Sequence, residues 1–283
     1  MYFLLLTILF STSIALILKF NDTRKGELIV LLAGNYLVAA AVAFILLILN
    51  ESKSFSYPTL LYGSGLGFLF VITFFLLAFA ISRAGTGLAI TSSRLSVIIP
   101  ILLSIIFFNE SPTEQHILGF VLTFVTFVLF YFSVRSGHKE GDGVLKYFFL
   151  IAVFIGIGIN DFALKFFKVW GSELEEPFFV FFIFCSAFIY STIYIIVRKI
   201  KISPQTAMWG VLLGIPNVLT TVFLLSALAI LPAIVVFPLM NVGIILLTTL
   251  LAFLIWKEKL NRWGVFALAS SLLAILFLSL GGS

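Results

Sequence analysis

Ten apolar runs, each about as long as a bilayer is thick, follow one another with only short polar turns between them. They fall at roughly 2–20, 28–49, 58–81, 86–108, 114–134, 146–167, 177–197, 206–230, 233–256 and 262–281. A hydrocarbon core of about 30 Å takes about 20 residues of helix at 1.5 Å rise. The pattern predicts an all-α integral membrane protein of ten transmembrane helices. Composition agrees: 62% of residues are hydrophobic and 10% charged, against about 45–50% and about 25% in a soluble domain. The first run starts at Tyr2 with no basic stretch before it, so it reads as a spanning helix and not a cleavable signal. No connector is long enough for a soluble domain, which confines the activity to the membrane.

The chain repeats itself. Ala15-Leu-Ile-Leu-Lys19-Phe20 in the first run matches Asp161-Phe-Ala-Leu-Lys165-Phe166 in the sixth. Gly63-Ser-Gly-Leu-Gly67 matches Gly210-Val-Leu-Leu-Gly214, and Phe75-Leu-Leu-Ala78 matches Phe223-Leu-Leu-Ser226. The offset stays near 146–148 and the order is kept. The predicted organisation is a first five-helix repeat over 1–134, a connector over 135–145 and a second repeat over 146–283. Five is odd, so the second copy enters the bilayer from the opposite side. Two inverted five-helix repeats form the architecture that many secondary transporters use for alternating access.

Orientation follows from the turns. Those after odd-numbered runs carry twelve basic residues, among them Arg24, Arg83, Arg135, Lys139, Arg198 and Lys257, whereas those after even-numbered runs carry Lys53 and Lys168. Basic residues collect on the cytoplasmic side, which puts both termini outside and accounts for the net charge of +5 without nucleic acid. Cys185 is the single cysteine, so no disulfide and no Cys-based metal site is expected. His116 and His138 have no metal-ligand companions, no nucleotide motif is present, and no cofactor is expected.

The fourth run holds Arg94 near its middle and Pro100 six residues on. A charge at the centre of a membrane helix costs about 2.5–3.5 kcal/mol on insertion scales. Arg94 must therefore face protein or water. Its guanidinium offers five donors to a substrate carboxylate or phosphate, or it pairs statically with Asp161 and pins the two halves together, or it snorkels. Thr91, Ser92, Ser93 and Ser96 around it are small and polar, leaving room for ligand. Asn160 and Asp161 lie within the sixth run; Asp161 is a candidate proton site or amine acceptor. It also shares a helix face with Lys165, four residues on, so an intrahelical pair competes with that role. Lys19 and Lys165 occupy equivalent positions and read as gate residues or as snorkelling lysines. Asn217, which follows Pro216, and Asn241 are the stronger candidates among uncharged polar residues, with Asn35, Thr220 and Thr221 beside them. Such side chains also glue helices together. The substrate-contact set is thus Arg94, Asp161, Asn160, Lys165, Ser93, Asn217 and Asn241, with Lys19, Thr91 and Thr221 as gate or secondary residues. Glu110 and Glu258 stand at helix ends, where they tie neighbouring turns.

Pro100-Ile-Leu-Leu-Ser-Ile-Ile-Phe-Phe-Asn-Glu110, followed by Gly119 and a long apolar run, resembles the ten-helix EamA-type branch of the drug/metabolite transporter superfamily. Trp256-Lys-Glu258-Lys-Leu-Asn-Arg-Trp-Gly264 is similar to the same pattern in the second copy. The resemblance implies a central cavity lined mainly by the first, third, fourth, sixth, eighth and ninth helices, with the fifth and tenth peripheral. Its members move amino acids, other metabolites, drugs or nucleotide sugars. Thr248 stands where the first copy has Pro100, and Arg94 is no family signature.

The expected function is a secondary transporter, an exporter by the family's habit, of a small polar solute such as an amino acid or related anionic or zwitterionic metabolite. A proton-coupled drug or cation antiporter using Asp161 is the alternative. An intramembrane lipid-modifying enzyme is a third reading, and it lacks the cluster of embedded His, Asp or Glu that such sites need. The expected partners are the small-molecule substrate, the bilayer and protons as coupling ion. The expected location is the bacterial plasma membrane.

Overall fold

The computed structural model describes residues 1–22, 27–50, 54, 56–84, 86–134, 144–256 and 261–281. The connector residues 135–143 with His138 and Lys139, the basic residues Arg24, Lys25, Lys53, Lys257 and Lys259, and Glu258 lie outside them, as does the side chain of Lys19.

Every described element is helical. The order is α1 (Tyr2–Asp22), α2 (Leu28–Leu49), α3 (Tyr57–Ala84), α4 (Thr86–Leu95), α5 (Ile98–Phe108), α6 (Glu114–Val134), α7 (Val144–Trp170), α8 (Glu176–Val197), α9 (Pro204–Ile230), α10 (Ala233–Trp256) and α11 (Arg262–Leu280), with one 3-10 turn at Glu173–Glu175. Among the described residues, nine stretches are long and apolar enough to cross a membrane, and α1 adds the shorter Tyr2–Leu18. Leucines, isoleucines and phenylalanines such as Leu9, Ile45, Phe124, Ile193 and Leu276 stand half exposed along the helices, as side chains facing hydrocarbon do. The protein is an all-helical integral membrane protein.

The fourth apolar run is the one that departs from a single expected helix. It breaks at Ser96–Val97 into α4 and α5. Pro100 has no N–H, so the Ser96 carbonyl loses its ordinary donor four residues on. That carbonyl accepts instead from the Ile99 N–H at 2.9 Å, while Val97 N–H turns to the Arg94 carbonyl at 3.3 Å. The Ser96 hydroxyl donates to the Ser93 carbonyl at 2.5 Å, satisfying a group that the break would orphan. At Thr248, the equivalent position, α10 runs on unbroken.

The chain forms two compact units. One comprises Met1–Ile72 and Phe166–Ser226, the other Thr73–Lys165 and Ala227–Ser283. Each draws on both halves of the sequence, and α3, α7 and α9 contribute a segment to each.

In the first unit α2 packs along α8, and the glycine pairs seat the flanking helices. A Cβ on Gly63 would meet Phe182 Cβ at 2.9 Å and Phe179 O at 3.1 Å, and one on Gly67 would strike Ser186 and Ile183, so α3 lies directly on α8. A Cβ on Gly210 would strike the Leu31 carbonyl and one on Gly214 would meet Val38 Cβ at 2.6 Å, so α9 lies directly on α2. Small residues allow this approach where lipid supplies no hydrophobic drive between helices. The partners are exchanged: the third span sits on the seventh, and the eighth on the second.

In the second unit α6 packs along α11. Gly119 lies against Leu278, Thr126 Oγ1 donates to Ser270 Oγ at 3.1 Å, and Ser133 Oγ donates to Asn261 Oδ1 at 3.0 Å. Asn261 is also the N-cap of α11, accepting from Gly264 N–H at 2.8 Å.

Candidate functional site

The polar centre of the second unit gathers around Arg94 in the last turn of α4. Its Nη1 donates to Asn241 Oδ1 of α10 at 2.9 Å, and Asn241 Nδ2 donates to the Phe237 carbonyl at 3.0 Å. The amide therefore has its oxygen toward the cation and its nitrogen toward a carbonyl, the assignment that satisfies both ends. Arg94 Nε is buried with no hydrogen-bond partner, as is Asn160 Oδ1 on α7. Buried polar atoms left unpaired by protein are uncommon. Asp161, beside Asn160, attracts Arg94 electrostatically.

Close approach of α5 to α7 holds these groups near each other. A Cβ on Gly158 would meet Ile99 Cδ1 at 2.5 Å and Cβ at 2.6 Å; α3 approaches α7 as well, since one on Gly156 would meet Thr73 Oγ1 at 2.9 Å. The α4 side is tied down as well, since Ser92 Oγ donates to the Leu150 carbonyl of α7 at 2.7 Å.

Both static pairs weighed for Asp161 are absent. The ion pairs among the described residues are Lys165–Glu110, Lys168–Glu173 and Lys168–Glu176, so neither Arg94 nor Lys165 reaches Asp161 within 4.0 Å. The physical reason lies at the end of α5. Asn109 takes a left-handed conformation (φ 52°) that stops the helix and projects Glu110 onto the start of α10. There Glu110 Oε1 accepts from Ala233 N–H at 2.9 Å and Oε2 from Ile234 N–H at 3.0 Å. The positive end of a helix dipole favours a carboxylate there. Lys165 Nζ completes the arrangement, 2.9 Å from Glu110 Oε1, with both side chains about nine-tenths covered. Lys165 is thus a partner of Glu110 and forms no ion pair with Asp161.

The remaining candidates are spread more widely. The Ser93 hydroxyl is donated to the Ile90 carbonyl at 3.0 Å within its own helix, and Thr91 is buried in α4. Asn217, Thr221 and Lys19 belong to the first unit. Asn217 Nδ2 donates to Asn35 Oδ1 of α2 at 3.1 Å, an amide bridge between helices, and Thr221 Oγ1 donates back to the Asn217 carbonyl at 3.3 Å. α9 continues through Pro216. Sequence reasoning recognised that Glu110 ties a turn but missed that it takes Lys165 with it; the signal was Asn109-Glu110 after an apolar run. Among the described residues no group of three His, Cys, Asp or Glu is placed to hold a metal. A cavity of about 290 Å³ behind the helix break is lined by Leu95, Val97, Ile98, Phe124 and Pro238 among others, with Thr123 the one polar residue in its wall.

Comparison with known proteins agrees with this architecture. A relative from Haemophilus influenzae described as an uncharacterized protein is 27% identical over 289 residues, covering 97% of this chain and 96% of its own. A solved crystal structure of another protein aligns with a TM-score of 0.82 at 17% identity, covering 99% of this chain and 96% of that one, a likeness of fold. The EamA-like transporter family matches residues 1–132. Over those residues the chain is similar to the EamA-like transporter family, and its fold is that of an all-helical membrane protein.

Proposed function

We propose that the protein is a secondary transporter that exports a small polar organic solute, an amino acid or a related anionic or zwitterionic metabolite, by alternating access between two inverted repeats. One observation carries the reading. Arg94 is held by a neutral amide and, among the described residues, no carboxylate pairs with it within 4.0 Å, so its charge is left for a ligand. The exchanged glycine contacts, α3 on α8 and α9 on α2, support the repeat: equivalent spans make equivalent contacts with swapped partners, as a two-fold relation requires. The distribution of basic residues supports a bacterial plasma membrane protein with both termini outside.

The test is counterflow in liposomes loaded with amino acids or organic acids. Solute-dependent exchange that is lost in Arg94→Ala supports the reading; wild-type exchange by that variant overturns the anion site. A second reading, a proton-coupled antiporter of cationic compounds, is favoured by Asp161, which has no ion pair among the described residues because Lys165 is taken by Glu110. In that case Asp161→Asn abolishes uptake driven by a pH gradient while Arg94→Ala leaves it unchanged.

A further inference from the structure

We infer that Asn241 is a positioning residue, which turns the Arg94 guanidinium so that its Nε–Nη2 edge receives a singly charged, planar anion such as a carboxylate. The inference rests on the proposed role of Arg94 as the anion site and adds which edge binds and what sets it. A guanidinium can grip two oxygens either by its Nη1–Nη2 end or by its Nε–Nη2 edge. The first is spoken for, because Nη1 donates to Asn241 Oδ1 at 2.9 Å. The second keeps an unused donor, because Nε is buried with no hydrogen-bond partner. Asn241 cannot flip its amide to release Nη1, since its Nδ2 is held by the Phe237 carbonyl at 3.0 Å, and a flip would set donor against donor and acceptor against acceptor.

Charge narrows the ligand further. Glu110 neutralises Lys165, so Lys165 adds no second positive charge for an anion. Arg94 brings one positive charge, and Asp161 lies near enough to act on it electrostatically. A carboxylate on Arg94 is balanced, and an ammonium on the same ligand has Asp161 to meet. A phosphate at neutral pH carries more negative charge than Arg94 balances, and its excess would be desolvated without a partner.

The experiment is NMR of the arginine side-chain N–H groups in the full protein in nanodiscs, with Arg94→Lys used to assign the Arg94 signals. The probes are acetate, L-leucine and inorganic phosphate. In the wild type, rotation of the Arg94 Nη groups is slowed, and acetate and L-leucine move its Nε–H signal whereas phosphate does not. Asn241→Ala frees that rotation and weakens the carboxylate response about tenfold, the loss of one hydrogen bond. Asn241→Asp abolishes the response, because its own carboxylate sits on Arg94. Free Nη rotation in the wild type, or an Nε–H signal untouched by acetate and L-leucine, overturns the inference. Should Asn241→Ala fail to fold, the wild-type titration decides alone. Counterflow that still depends on Arg94 while Nε–H is unmoved leaves the transport reading standing and removes only the edge assignment. Absence of counterflow with every solute removes the transport reading itself.

Discussion

Lys165 and Glu110 form a buried ion pair at 2.9 Å, and the same carboxylate caps the first two amides of α10. One side chain thus joins the end of α5, the body of α7 and the start of α10. Glu110→Gln strips Lys165 of its counter-charge and costs about 3–5 kcal/mol of stability, the usual loss when one partner of a buried pair is removed. Lys165→Met costs less, because Glu110 keeps both backbone donors. Thermal unfolding of the single variants and the pair checks this; the double variant loses clearly less than the sum.

The glycines of α3 provide their own control. A Cβ on Gly67 strikes Ser186 and Ile183, whereas one on Gly65 meets nothing within 4 Å. Gly67→Ala destabilises by about 1–3 kcal/mol through overpacking. Gly65→Ala is neutral or stabilises by up to about 1 kcal/mol through helix propensity. Gly210→Ala, whose Cβ strikes the Leu31 carbonyl, matches Gly67→Ala in sign. Melting temperatures in one detergent rank the three.

Pro100→Ala restores an N–H to the Ser96 carbonyl and allows α4 to run into α5. The variant is more thermostable and transports more slowly, because a continuous helix rotates Arg94 away from Asn241. Paired unfolding and counterflow measurements test it; unchanged transport would show that the break has no part in placing Arg94.

Asn35 and Asn217 are coupled through a single hydrogen bond between their side-chain amides, 3.1 Å long. Asn35→Ala and Asn217→Ala each lower stability, with a coupling energy of about 0.6 kcal/mol as found for polar contacts between membrane helices. Neither changes which solutes exchange. A double-mutant cycle with a substrate panel separates this bridge from a binding contact.

The helices were legible because length and hydropathy write them directly: the expected 28–49, 114–134 and 233–256 coincide with α2, α6 and α10. The glycine pairs were legible too, since a four-residue spacing of small residues has one dominant use in a membrane. Partnerships among charges were not. Asp161 and Lys165 share a helix face, and local spacing alone pairs them. The outcome turns on Glu110, fifty-five residues upstream of Lys165, delivered by a left-handed Asn109 that no periodicity reports. Likewise Arg94 announced a polar interior, yet its tie to Asn241 depends on how α4 and α10 meet.

The break at Ser96–Val97 also bears on how the protein is made. Asn241 emerges from the ribosome 147 residues after Arg94, so Arg94 enters the bilayer long before its amide partner exists. α4 has ten residues and α5 eleven, and neither alone is long enough to span. They must therefore leave the translocon together, with the arginine still facing water or an insertion factor. Chains truncated before α10 should accumulate at that stage and be cleared by membrane quality control, which makes the second half of the sequence the maturation signal for the first.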